Sequence, residues 1–276
     1  MDTGSILTTF FIVFRETLEA GLIVGIILTL LAHMKQRRYF PHVLGSSLAA
    51  VLVSVLAGFA LMSLTESAQG RMQELLEGGI SFAACAVLTY MIFWMDRQAR
   101  KIKSEIETQI EVAMSRGEYF VLMSLPFLAI FREGAETVLF LSAVASKDSQ
   151  AVSWAGGSLG FLFASLITLI IFVGGKKIPL RPLFQTTGVF LLFVAAGLLA
   201  HGIHEFEEVG VIPIIYGQVW DINPILNEKI GLGVFLKSLF GYNGNPSFLE
   251  VLTYIFYLFG IYWFLSKRRQ IKPSVN

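Results

Sequence analysis

The amino-acid sequence predicts an all-α polytopic membrane protein with seven transmembrane helices. Of its 276 residues, 55% are hydrophobic and 15% are charged, whereas a soluble domain carries about 25% charged residues. Several apolar runs reach the length of about 20 residues that a helix needs to cross a bilayer. A mean hydropathy of +0.68 excludes a disordered chain and a soluble nucleic-acid-binding protein. The net charge of +1 gives no electrostatic reason to expect a nucleic-acid partner.

Seven segments are predicted to span the lipid bilayer. In chain order they are residues 5–33, 43–64, 78–95, 119–146, 152–175, 182–204 and 248–266. Four of them contain no Asp, Glu, Lys or Arg, and the last carries only Glu250, near one end. The first and the fourth are equally apolar but have charges at their centres. We expect the first to be retained rather than cleaved as a signal peptide, because those charges fall where the apolar signal region would be.

The basic residues predict the orientation of the chain. With seven spans the connections alternate between two sides, and fifteen Lys and Arg lie on one side against four on the other. The more basic side is the cytoplasmic one. The N-terminus is therefore predicted to lie outside and the C-terminus in the cytoplasm, in a multi-pass protein of the cytoplasmic membrane.

The whole chain, residues 1–276, is predicted to form a single transmembrane domain. Its parts are a first three-helix half (1–96), a cytoplasmic helix (97–118), a second three-helix half (119–204), an outer connection (205–247), and a seventh helix with a cytoplasmic tail (248–276). The cytoplasmic helix is predicted from Lys, Arg and Glu at helical spacing.

The charges inside the first and fourth spans form the same motif. Residues 14–19 and 131–136 both read F-R-E-x-x-E. Random placement predicts only about 0.04 copies of R-E-x-x-E in a chain of this composition. An isolated charge at the centre of a membrane helix costs roughly 2.5–3.5 kcal/mol. The motifs must therefore face a polar interior and find partners there.

Helix geometry predicts how each motif is arranged. The two glutamates are three residues apart and share a helix face. The arginine lies four residues before the second glutamate, so a structural Arg–Glu pair within the helix is the simplest interpretation. That pair is expected to leave the first glutamate of each motif, Glu16 and Glu133, without a partner.

The duplication also predicts an inverted repeat. The first span runs inward and the fourth runs outward, so the same motif lies on antiparallel helices. Spans one to three and four to six are then two inverted three-helix repeats, with the seventh helix added. In transporters of this kind the substrate site lies at the membrane midplane, between the repeats.

Four carboxylates at such a site favour a hard cation as ligand. The predicted metal ligands are Glu16, Glu19, Glu133 and Glu136, and the supporting charges are Arg15 and Arg132. Together these six residues carry a net charge of −2, which suits a divalent or trivalent ion. The motifs contain neither Cys nor His, which disfavours a copper or zinc pocket. Charge balance leaves Fe(II), Fe(III) and Mn(II) open.

A second group of polar residues is predicted at the outer ends of spans three and six. It comprises Glu74, Glu77, His201, His204 and Glu205. One interpretation is a vestibule that concentrates cations before the central site; the other is an ordinary solvated helix end. For the neighbouring Glu207 and Glu208 we expect the solvated helix end.

On these residues the chain resembles the high-affinity iron permeases. Paired R-E-x-x-E motifs on the first and fourth of seven spans are typical of the fungal ferric permeases and the bacterial EfeU-type permeases. The segments TYMIFWM (89–95), LFVAAGL (192–198) and LFGY (239–242) are similar to the bacterial branch. The resemblance covers nearly the whole chain.

The resemblance implies import of Fe2+ or Fe3+ across the cytoplasmic membrane, with iron as the substrate and no cofactor. It implies that the four motif glutamates are iron ligands. It also implies extracytoplasmic partner proteins that oxidise or bind iron.

Two alternatives remain at this stage. The first is a transporter of another divalent metal, such as Mn(II) or Pb(II). The second is a membrane oxidoreductase with a carboxylate metal site, which is disfavoured because no Glu is followed by His at the third position, as di-iron sites require. The chain also lacks G-x-x-x-x-G-K-[ST], so we expect no ATP hydrolysis by a P-loop.

Overall fold

A computed structural model of the chain describes residues 3–98, 106, 108–110, 112, 119–147, 154–172, 180–228 and 232–270. Within these ranges the protein is helical and has no β-strand. The helices are α1 (Thr3–His33), α2 (Phe40–Ser67), α3 (Arg71–Gln98), α4 (Tyr119–Lys147), α5 (Trp154–Phe172), α6 (Leu180–Glu208), α7 (Leu232–Phe240) and α8 (Phe248–Gln270). A short 3-10 helix, Arg37–Tyr39, joins α1 to α2.

The predicted all-α, multi-pass architecture is confirmed at this level. Five of the described helices, α2, α3, α5, α6 and α8, are long and apolar enough to cross a membrane. Helices α1 and α4 have 31 and 29 residues, more than the length of a span, and carry the motif charges. Their assignment as the first and fourth of seven spans stays a prediction.

The helices of the two predicted halves are interleaved. Helix α1 packs along α5, α2 along α4, and α3 along α6, while α1 and α4 meet in the middle. Ser54 lies against Gly134 and Gly58 against Val138, so α2 and α4 run in parallel. The first turns of α3 lie beside the last turns of α6, so that pair is antiparallel. The central α1–α4 contact brings the two motifs together.

Glycines permit the close approach of α5 to α1. Gly156 lies against the carbonyl group of Ile6, and Gly160 lies one turn further along, against Phe10. A Cβ on Gly160 would lie 2.6 Å from the carbonyl oxygen of Phe10 and 2.9 Å from the amide nitrogen of Phe14. Small residues four apart are a common device for close helix packing in membranes. They bring α1 into direct backbone contact with α5.

Substituting Gly160 by Ala is therefore expected to destabilise the protein by about 1–3 kcal/mol, because the added methyl group overlaps main-chain atoms that cannot move away independently. The measurement is thermal unfolding of the purified protein in detergent. Gly157→Ala is the matched control, since a Cβ there would meet only ordinary contacts at 3.6 Å from Thr9. Equal unfolding temperatures for the two variants would contradict the expectation.

The predicted cytoplasmic helix, residues 97–118, falls mostly outside the described residues. Ile106 and Ile110 are described, and both are buried. They pack in one apolar cluster with Ile23, Ile27 and Leu31 of α1. This part of the chain thus contacts the C-terminal half of the helix that carries the first motif.

The predicted outer connection has structure of its own. It contains α7, which contacts α1 and α6. Main-chain hydrogen bonds then tie the loop after α6 to the segment before α8: Ile222 N donates to Gly244 O at 2.8 Å, and Val219 N donates to Pro246 O at 3.0 Å. Gly241, with φ of +67°, lets the chain turn where its backbone meets α6. The start of α8 is thereby held beside the end of α6.

Candidate metal centre

The first motif is a closed Arg–Glu arrangement on α1. Arg15 Nη1 lies 2.8 Å from Glu16 Oε1, and Arg15 Nη2 lies 2.8 Å from Glu19 Oε1. The arginine side chain is only 2% exposed. It bridges both glutamates of its own motif inside the helix bundle.

The second motif repeats this arrangement on α4 with a more open arginine. Arg132 Nε donates to Glu133 Oε1 at 3.0 Å, and its Nη2 also contacts that oxygen. The same Nε lies 3.6 Å from Glu136 Oε1. The Arg132 side chain is 43% exposed, against 2% for its counterpart Arg15.

The expectation that Glu16 and Glu133 lack an intrahelical partner is wrong. Each arginine contacts the glutamate that follows it as well as the one four positions on. The guanidinium group carries five N–H donors in a planar fork, so one arginine can serve two carboxylates at once. Sequence spacing predicted the contact with the glutamate four positions on, but it did not predict the contact with the adjacent glutamate.

Carboxylates from the two motifs converge where α1 meets α4. Oxygen atoms of Glu16, Glu19 and Glu133 all lie within 4.8 Å of one another. Ligands on opposite sides of an ion with bonds of about 2.1 Å lie about 4.2 Å apart. The three side chains are therefore spaced to hold one cation after small adjustments. Glu136, the fourth predicted ligand, is not in this group of three.

Several oxygens of these carboxylates are buried and carry no hydrogen bond from the described part of the chain. They are Oε2 of Glu16, of Glu133 and of Glu136. A buried carboxylate oxygen without a partner is costly, so it is expected to find a cation or a proton. The arginines use only part of the acceptor capacity of these carboxylates, which leaves oxygens available for a metal ion.

A second cluster joins the start of α3 to the end of α6. Glu77, His201 and Glu205 offer ligand atoms within 4.8 Å of one another. His201 Nε2 lies 3.5 Å from Glu205 Oε1, and Gln73 Nε2 donates to Glu77 Oε1 at 2.8 Å. Three of the five residues predicted for the outer vestibule thus meet.

The other two residues predicted for the vestibule, Glu74 and His204, lie outside this cluster. Glu74 is in the first turn of α3 and belongs to none of the three-residue groups found among the described residues. His204 belongs instead to a third group, with Glu207 and Glu250.

Sequence analysis did not identify Glu207 and Glu250 as members of a site. They are 5% and 4% exposed, so the expectation of a solvated helix end is wrong for Glu207. It fits Glu208, whose side chain is 53% exposed. The one available signal was Glu250, the single charge in the otherwise neutral run 248–266.

The chain is similar to known proteins over most of its length. Residues 6–266 match the family described as "Iron permease FTR1 family". A protein of Yersinia pestis named "Ferrous iron permease EfeU" is 36% identical over 251 residues, which are 90% of this chain and 89% of that protein. A protein of the same name from Escherichia coli O6:H1 (strain CFT073) is 34% identical over 252 residues, 90% and 91% of the two chains. Both names describe permeases rather than enzymes. No solved structure matches.

Proposed function

Because the chain belongs to the iron permease FTR1 family, we propose that it imports iron through the carboxylate site between α1 and α4. The observation that carries the proposal is the convergence of Glu16, Glu19 and Glu133 from two helices to within 4.8 Å. Glu136 completes the ligand set when iron binds, since its Oε2 is buried and has no hydrogen-bond partner among the described residues. Arg15 and Arg132 hold the carboxylates in place and reduce the net negative charge of the site.

We also propose seven spans in the cytoplasmic membrane, with the N-terminus outside and two inverted repeats. If the halves are repeats, α1 corresponds to α4, α2 to α5 and α3 to α6. The symmetry that relates them then turns the α1–α5 pair into the α4–α2 pair. It turns the α3–α6 pair into itself. The observed packing has this pattern. It supports a pseudo-two-fold axis that passes between the two motifs. With such an axis in the membrane plane, we propose that the carboxylates lie near the midplane.

Equivalent positions of the repeats make equivalent contacts. Gly21 and Val138 each lie two residues after the last glutamate of their motif. A Cβ on Gly21 would lie 2.6 Å from Thr168 Oγ1 of α5, and a Cβ on Gly58 of α2 would lie 3.0 Å from Val138 Cγ2. In each half the same turn of the motif helix packs on the second helix of the other half.

The orientation can be tested with cysteine labelling, because Cys85 is the only cysteine in the chain. In a variant without it, Gln69→Cys between α2 and α3 should react from outside intact cells with a membrane-impermeant maleimide. Arg37→Cys between α1 and α2 should react only after the membrane is opened. The reverse pattern would refute the proposed topology.

We further propose that the cluster of Glu77, His201 and Glu205 gathers the cation before it reaches the central site. Replacing Glu77 by Gln is expected to raise the KM for iron uptake several-fold with little change in maximal rate, because it weakens capture and leaves the α1–α4 site intact. Glu74→Gln is the matched control, one turn earlier on α3. The KM of both variants is measured from iron uptake in cells. A KM for Glu77→Gln equal to that of the wild type would contradict a role for this cluster.

The experiment that tests the proposed function is uptake by the purified protein in liposomes. Fe(II), Fe(III), Mn(II) and Zn(II) are compared as substrates, with empty liposomes as the control. Iron is expected to enter and to be preferred over the other two metals. Faster uptake of Mn(II) than of either iron ion would favour the alternative of another divalent metal. Absence of iron uptake together with turnover of a redox substrate would favour the oxidoreductase.

A further inference from the structure

We propose that His204, Glu207 and Glu250 form a second metal site, which binds a divalent first-row transition-metal ion where the end of α6 meets the start of α8. The site is distinct from the carboxylates between α1 and α4. The inference does not depend on the proposed transport function, because it concerns binding alone.

The distances suit ligands of one ion. His204 Nδ1 lies 2.9 Å from Glu250 Oε1. Neighbouring ligands of an octahedral ion with bonds of about 2.1 Å lie about 3.0 Å apart. An oxygen of Glu207 joins them, with all three ligand atoms within 4.8 Å of one another. A cation can therefore replace the His204–Glu250 hydrogen bond without large movements of the side chains.

The surroundings hold two of the ligands in place. His204 Nε2 lies 3.3 Å from Glu208 Oε1. Asn243 Nδ2 donates to Glu250 Oε2 at 2.7 Å, and Ser247 N donates to Glu250 Oε1 at 3.2 Å. Metal-binding histidines commonly donate their second ring N–H to a carboxylate, and ligating carboxylates are themselves hydrogen-bonded. With Nδ1 on the metal, Nε2–H donates to Glu208.

An ion pair between His204 and Glu250 would be a simpler explanation of this cluster, but it leaves Glu207 unexplained. Glu207 is only 5% exposed, so it is 95% buried, and its Oε1 has no hydrogen-bond partner among the residues that the structure describes. A buried carboxylate without a partner is unfavourable. With a neutral His204 the three side chains carry a net charge of −2, which a divalent ion neutralises.

The ligand types indicate the class of ion. One imidazole nitrogen with two carboxylates suits Mn(II), Fe(II), Co(II) or Zn(II) better than Ca(II) or Mg(II), which prefer oxygen alone. The motif carboxylates between α1 and α4 include no histidine, so a nitrogen ligand distinguishes the two sites. The ring of His204 lies 6.5 Å from that of His201 in the neighbouring cluster. The end of α6 therefore has room for two separate cation sites.

The test is Mn(II) binding to the purified full-length protein in detergent. Electron paramagnetic resonance counts the bound ions, and its pulsed form detects nitrogen coordinated to Mn(II). We expect a nitrogen-coupled ion that persists in His201→Gln and is lost when Glu207→Gln is added to that variant, with affinity at that site at least about 10-fold lower. Asp221→Asn, an exposed carboxylate of the same connection, is the control and should bind as the wild type does.

Unchanged nitrogen coupling and affinity in the His201→Gln, Glu207→Gln double variant would overturn the proposal and leave a simple ion pair. Loss of the nitrogen signal in His201→Gln alone would also overturn it, because the ion would then belong to the neighbouring cluster. If the double variant does not yield folded protein, His204→Gln combined with His201→Gln decides by the same signal: its loss supports the site, and its retention overturns it. Iron uptake in liposomes is measured separately, so failure of transport and failure of this site are distinguishable.

Discussion

Replacing either Glu16 or Glu133 by Gln should reduce iron uptake by at least about 100-fold. Removing a residue that merely supports a metal ligand costs about 10–100-fold, and these two side chains are proposed to be ligands themselves. Both are 2% exposed. Each has an Oε2 that no described residue contacts by a hydrogen bond. The amide replaces a charged ligand oxygen by a neutral group of the same size, so the packing is retained while the ligand is lost. Radioactive iron uptake in cells, normalised to the amount of protein in the membrane, measures the effect.

The control for this prediction must sit on the same helix and leave the site untouched. Ser124→Ala fulfils this, because Ser124 of α4 lies about two helical turns before the motif and donates its hydroxyl hydrogen to Val121 O at 3.3 Å. Its uptake should match that of the wild type. If both glutamine variants transport iron at the wild-type rate, iron does not pass through this site.

Replacing Arg15 by Gln is expected to destabilise the protein by about 3–5 kcal/mol, the usual result of removing one partner from a buried ion pair. The two carboxylates that the arginine contacts at 2.8 Å would remain buried without their counter-charge. We also expect uptake to fall, since repulsion would separate these carboxylates. Thermal unfolding in detergent and uptake in cells are the two measurements.

Arg132 provides the comparison for this second prediction. It holds the same place in the other motif, but its side chain is 43% exposed rather than 2%. Arg132→Gln should therefore lower the unfolding temperature clearly less than Arg15→Gln does. Equal shifts would mean that burial of the arginine does not determine its contribution. Arg15→Lys should recover only part of the loss, because an ammonium group lacks the planar fork that reaches both glutamates.

The positions of the helices follow from the sequence because a bilayer imposes a length on every apolar run. The run 119–146 was expected from hydropathy, and α4 is Tyr119–Lys147. The convergence of the motifs was expected from their duplication. Which helix packs along which was not, because all the apolar runs have similar composition. Gly156 and Gly160, four residues apart on α5, are a local feature that permits another backbone to lie close.

The cluster of His204, Glu207 and Glu250 shows why some residues of a candidate site cannot be predicted from the sequence. Glu207 and Glu250 are 43 positions apart and share no motif. Each taken alone is typical of a helix end exposed to water. They become neighbours only because the loop after α6 turns back and is hydrogen-bonded to the segment before α8. Burial of a carboxylate by a distant loop is a property of the fold and leaves no periodic signal in the chain.

The contacts within each motif also matter while the protein is being made. The motif of α1 is synthesised more than 100 residues before that of α4. If α1 spans the bilayer as proposed, it enters the bilayer before the carboxylates of α4 exist. At that time Arg15 can already contact both Glu16 and Glu19, because all three lie on one helix. The helix then presents a local group of net charge −1 rather than three separate charges, which lowers the free energy of insertion. Each motif is thus compatible with biogenesis one helix at a time, although the proposed metal site needs both.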